Sequence, residues 1–169
     1  MHAFYLLAVW LHILAAITWI GGMFFLVLVV VPWLRSGGGG VDAAKFLRET
    51  GRRFRNISWV CFAIVFTTGT FALWMRGVRF GSFVSPDWLA SSFGKIVLLK
   101  LTLFAAVIAV SLIHDMVVGP RATTAIAADP RSAATANLRK RASHLARVNV
   151  LLALVLVALG DLIVRGWPW

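Results

Sequence analysis

The chain alternates between long apolar runs and short stretches rich in arginine. The first run, Leu6–Trp33 (LLAVWLHILAAITWIGGMFFLVLVVVPW), contains no Lys, Arg, Asp or Glu. It exceeds the roughly 20 apolar residues that carry a helix across a bilayer. Three further runs follow: Ile57–Met75 (ISWVCFAIVFTTGTFALWM), Phe93–Val118 and Leu145–Val164. In lipid, backbone polar groups must be satisfied within the segment, so apolar runs of this length become helices. The pattern predicts an all-α integral membrane protein. Residues 1–169 form one domain, a four-transmembrane-helix bundle with spans at about 4–31, 57–75, 93–118 and 145–164. Pro32 is expected to close the first span and Gly119-Pro120 the third, because proline lacks the N–H that continues a helix. The first run is too long for a leader core, has no basic segment before it and lacks a small-residue cleavage site, so it reads as a retained span.

The polar connections set the orientation. Arg35, Lys45, Arg48, Arg52, Arg53 and Arg55 lie between spans one and two. Arg121, Arg131, Arg139, Lys140, Arg141 and Arg147 lie between spans three and four. The middle connection offers mainly Arg76 and Arg79. Positive charge marks the cytoplasmic side, so the first and third loops are expected inside and both termini outside, in a bacterial-type inner (plasma) membrane. Asp42–Phe54 is expected to extend span two as an amphipathic helix with Asp42 at its N-cap. Ala133–Arg147 is expected to extend span four in the same way. Gly37–Gly40 lacks the Lys-Ser/Thr signature of a phosphate loop. Phe80, Phe83 and Trp88 around Pro86 read as an interfacial aromatic belt in preference to a cap on the bundle mouth.

Composition agrees with the pattern. Of 169 residues, 60% are hydrophobic and only 14% charged, which excludes a soluble domain. The net charge of +11 would suggest nucleic acid in a soluble chain. Here it falls between the spans, so the expected partner is the anionic lipid surface and no nucleic acid. Cys61 is the single cysteine, which excludes an intrachain disulfide and any Cys-x-x-Cys motif. It reads as a packing residue.

Ionisable side chains inside a span are costly, and they mark function or a specific partner. His12 interrupts the first span and Lys100 the third, while Asp161 lies one turn before the end of the fourth. With Met75 at the end of span two, they fall in the outer half of the bundle and form a candidate outer site. Lys100 snorkelling to the headgroups, and an Asp161–Lys100 salt bridge of structural value, are the plainer alternatives. A second group sits toward the inner side: His114 and Asp115 late in span three, His144 at the start of span four, and Arg121 and Arg147. Hydrogen bonding at a wet boundary explains it most simply; a second ligand pair, His114 with His144, is the functional alternative. His2 is expected to be solvated. Thr67-Thr68-Gly69-Thr70 reads as small-residue packing with hydroxyls bonding back to carbonyls. Zinc motifs and serine-nucleophile arrangements are absent.

Four segments in order carry a resemblance: Leu11-His12 through Gly21-Gly22; Arg53-Phe54 through Thr68-Gly69; Lys100-Leu101; and His114-Asp115 through Gly119-Pro120-Arg121. Together they resemble the copper-resistance D (CopD) type membrane domain over nearly the whole chain. The spacing of His12, Lys100, a late histidine in span three and Arg147-Val148-Asn149 is also similar to HemJ-type protoporphyrinogen oxidases, four-helix membrane proteins carrying b haem. By that resemblance His12 and Lys100 match the functional His and Lys of the group.

Three functions follow. The first expectation is a b-type haem bound within the bundle, serving membrane electron transfer or porphyrin redox chemistry. His12 is then an axial ligand, and Lys100 or Arg76 a propionate partner. If the chain is an enzyme, this makes it a haem-dependent membrane oxidoreductase with a redox partner or quinone. The alternative is copper transport or copper resistance through a His/Met site, with His12, His114 and His144 as metal-ligand candidates and Met75 as a soft one. The third is a cofactor-free accessory subunit; a homo-oligomer is compatible with each. One constraint applies to all. His12 lies about 30 Å along its helix from Pro32 and His114 only about 9 Å from Pro120. Their depths differ by roughly 20 Å at modest tilt, so one metal ion cannot bind both.

Overall fold

The computed structural model describes residues 2–37, 42–129 and 131–165, and among these every regular element is helical. Helix α1 (His2–Phe25) runs through a π turn, Leu26–Val30, into α2 (Val31–Arg35). Helix α3 spans Ala43–Met75, and a 3₁₀ turn (Phe80–Val84) and the short α4 (Pro86–Ala90) follow. Helix α5 (Ser92–Ile113) passes through a second π turn, His114–Val118, into α6 (Gly119–Ala128), and α7 spans Ala133–Arg165. Four continuous helical stretches are long and apolar enough to cross a membrane: His2–Leu34, Lys45–Met75, Ser92–Ala128 and Ala133–Arg165.

Two expectations about helix ends are corrected. Pro32 does not close the first span, and Gly119-Pro120 does not close the third. In each case a π turn ends two residues before the proline. The Val31 N–H reaches Leu26 O and the Gly119 N–H reaches His114 O, both five residues back. The wider turn shifts the carbonyl that a proline ring would strike in an α-helix, so the chain continues as helix. The amphipathic extensions of spans two and four are both present as single uninterrupted helices. Asp42 stands at the N-cap of α3, but its carboxylate makes no capping bond. Of the glycine run, Gly38–Gly40 lie outside the described residues.

The core joins all four helical stretches. Ala15, Trp19 and Met23 of α1 meet Cys61 and Phe62 of α3, Val107 of α5 and Ala153 of α7. Phe62 is the hub, with its ring edge-on to Trp19 at 4.9 Å, Trp59 at 5.4 Å and Phe104 at 6.0 Å. Helix α1 packs chiefly on α3, and α5 on α7. Gly22 leaves room for the Phe54 ring of α3, with which a Cβ there would collide. The outward faces keep large apolar side chains in the open, among them Leu7, Ile13 and Ile17 of α1 and Leu151, Val155 and Val157 of α7. A continuous apolar exterior of this kind suits lipid. In the middle connection Phe83 packs edge-on against Trp88, and Phe80 is 96% exposed.

Candidate functional site

Three threonine hydroxyls on α3 bond back to their own helix. Thr67 Oγ1 donates to Ala63 O (2.8 Å), Thr68 Oγ1 to Ile64 O (2.5 Å) and Thr70 Oγ1 to Phe66 O (2.8 Å). This is the local pattern expected of the Thr-Thr-Gly-Thr segment. Thr68 does more, because its oxygen also lies 2.9 Å from Nδ1 of His12 on α1. A hydroxyl has one proton, and that of Thr68 is committed to a backbone carbonyl that can only accept. Thr68 Oγ1 must therefore accept, and His12 Nδ1–H must donate. The neutral imidazole then carries its lone pair on Nε2. Gly69 supplies the space beside the ring, since a Cβ there would come within 3.3 Å of His12 Cε1.

Lys100 of α5 belongs to the same neighbourhood. Its ammonium acts electrostatically on His12 and is itself influenced by Arg76. Its Nζ lies against Gly160 of α7, 3.2 Å from where a Cβ would stand. Arg76 Nη1 donates to Ile163 O at 3.1 Å, tying the end of α3 to the end of α7. Met75 lines a cleft of about 320 Å³ at this end of the bundle with His2, Tyr5 and Arg76. The structure thus gathers His12 and Lys100 with a partner missing from the sequence reading, Thr68. Asp161 is turned to a different neighbour, accepting from Arg165 Nε at 2.7 Å with a side chain that is 61% exposed. The Asp161–Lys100 bridge is not formed.

The other two histidines have separate surroundings. His114 opens the second π turn and pairs through Nδ1 with Asp115 Oδ1 at 2.9 Å, while the Asp115 carbonyl accepts from Arg55 at 3.4 Å. His144 stands on a cationic face of α7 with Arg139, Lys140 and Arg147. Neighbours of that sign oppose a metal cation. Among the described residues, no three His, Cys, Asp or Glu side chains converge as a metal group.

Deeper in the bundle, Asn149 is buried and its Nδ2 donates to Ser111 Oγ at 3.0 Å and approaches Met23 Sδ at 3.8 Å. Its Oδ1 is buried with no partner among the described residues. One amide therefore links α1, α5 and α7. Cys61 is buried in the apolar core, as its setting in the sequence suggests.

The family model described as copper resistance protein D matches residues 48–163. This chain belongs to that family. The matched segment includes Thr68, Met75, Lys100, His114, His144 and Asn149; His12, on α1, precedes it. A similar protein, uncharacterized, comes from Aquifex aeolicus (strain VF5). It is 29% identical over 162 residues, covering 95% of this chain and 96% of that protein. No solved structure matches. Family membership and the four apolar helices identify a multi-pass protein of the bacterial inner membrane. Neither comparison supports the likeness to HemJ-type oxidases or the binding of haem.

Proposed function

We propose that this copper resistance D family protein passes copper ions through the outer half of its helix bundle, with His12 Nε2 as the ligating atom. Copper is the cargo in this reading. One observation carries it: with the Thr68 proton committed to Ile64 O, the Thr68 bond favours the His12 proton on Nδ1 and the lone pair on Nε2. Orientation of a ligating histidine through its other nitrogen is the usual device in metal sites. The cleft of His2 and Met75 offers an imidazole and a thioether, a donor pair suited to Cu(I), about 15 Å along α1 from His12. Two sparse stations fit a moving ion better than a resident one, since the described residues build no three-ligand group. Lys100 works against a second positive charge beside His12. That keeps occupancy weak enough for the ion to leave, as conduction requires.

The basic loops face the cytoplasm in this reading, so the His2–Met75 cleft opens outward. The experiment is a Cu(I) titration of the detergent-purified protein against a chromophoric chelator under reducing conditions. Wild type is expected to bind and His12→Ala to lose its tightest site while still inserting and folding. Equal Cu(I) affinity in the two proteins would refute the assignment.

A further inference from the structure

The cationic face of α7 that carries His144 has no role in the copper reading. Arg139, Lys140, Ser143, His144 and Arg147, with Ala136, line a hollow of about 580 Å³. Their spacing places them on one helical stripe, since residues three and four apart are neighbours. The stripe rises about 12 Å from Arg139 to Arg147. No Asp or Glu occurs between Ala133 and Arg147. The nearest acid before it, Asp129, holds the Arg131 N–H at 3.0 Å. Asp115, on the π turn packed against α7, is paired with His114.

The basic extension of α3 differs. There Arg52 and Arg53 share Glu49 at 2.8 and 3.0 Å, and Arg55 donates to the Asp115 carbonyl. Among the described residues, Arg139, Lys140 and Arg147 enter no ion pair. Three cations, a hydroxyl and an imidazole thus line one open face of a single helix without an internal anion. Such a set matches a phosphate, whose oxygens take forked guanidinium bonds and a hydroxyl donor. Its level names the source. Leu145 begins the apolar run, so Arg147 already stands at the hydrocarbon boundary, and Arg139 lies two turns out. Headgroup layers are about 5–7 Å thick, so the stripe crosses one.

We propose that the Arg139–Arg147 face of α7 is a binding site for the phosphate of an anionic phospholipid headgroup. The bound lipid would clamp the α7 extension to the membrane surface at the basic end of the bundle. It would also give His144 an anion as neighbour in place of a metal.

The test uses the full chain in vesicles of phosphatidylglycerol and phosphatidylcholine in equal parts, extracted in mild detergent and examined by native mass spectrometry. Wild type is expected to retain phosphatidylglycerol over phosphatidylcholine. Arg139→Gln/Lys140→Gln/Arg147→Gln should reduce that enrichment by about fivefold for each cation removed. Glu49→Gln/Arg52→Gln removes both Glu49 ion pairs at constant net charge and should leave it unchanged. Should the triple variant fail to insert, Arg147→Gln alone is expected to show the single fivefold step. Equal retention of both lipids by wild type, or unchanged enrichment in the α7 variants, overturns the proposal. So does calorimetric binding of inorganic phosphate at the same site with the affinity of the lipid, which would assign the hollow to a free anion.

Discussion

Thr68→Val separates the orienting role of Thr68 from its contribution to stability. The substitution is nearly isosteric and removes one oxygen, the atom that receives His12 Nδ1–H at 2.9 Å and donates to Ile64 O. The fold loses one interhelical bond. Such bonds between membrane helices average about 0.6 kcal/mol, so the bundle should remain inserted and folded. Ligation suffers more, because the imidazole is then free to rotate and to place its proton on Nε2. Loss of an orienting partner typically costs about 10- to 100-fold in metal affinity, or about 1.4–2.8 kcal/mol. The affinity effect thus exceeds the stability effect severalfold, and the two can be read independently. Competitive Cu(I) titration gives the first and thermal unfolding in detergent the second. Thr68→Ser should restore binding, and Thr67→Val, which removes only contacts to the Ala63 and Ile64 carbonyls of its own helix, should leave it intact. Wild-type Cu(I) affinity in Thr68→Val would show that the tautomer is not set by this hydroxyl.

Lys100→Met should raise Cu(I) affinity by about tenfold or more, the worth of one nearby unit charge at an effective dielectric of about 20; a fall in affinity in the same chelator titration would make Lys100 a helper of binding. Gly22→Ala should cost about 1–3 kcal/mol, because the new methyl meets the Phe54 ring, while Gly21→Ala, with nothing within 4 Å, should be neutral or slightly stabilising in thermal melts. A reporter fused after Trp169 should be active only outside the cytoplasm, and cytoplasmic activity would reverse the orientation.

Most of the architecture was legible because the bilayer forces it. Four apolar runs without acidic or basic residues in their centres can be little else, and the amphipathic extensions of α3 and α7 followed from charge spacing. The prolines misled for a local reason. A π turn before Pro32 and another before Pro120 absorb the missing N–H, and no composition rule announces a π turn. At the site, His12 and Lys100 stood out as costly groups. Thr68 was hidden because hydroxyls in membrane helices usually satisfy themselves, as Thr67 and Thr70 do. Depth would have found it: Thr68 lies about 10 Å from the Met75 end of α3 and His12 about 12 Å from Phe4. Asp161 was placed at the right level, but depth carries no information about direction, and its carboxylate turns to Arg165. The buried Asn149 drew notice only within a motif, since an amide reveals its partners on three helices only after packing.

The most direct test of the copper reading is the visible spectrum of protein purified without added haem, together with its copper content at equilibrium with buffered Cu(I). Copper is expected in the wild type at that equilibrium, less in His12→Ala at unchanged yield of folded protein, and no Soret band in either. A Soret band in the wild type that disappears in His12→Ala would contradict it and assign the same imidazole to a haem iron.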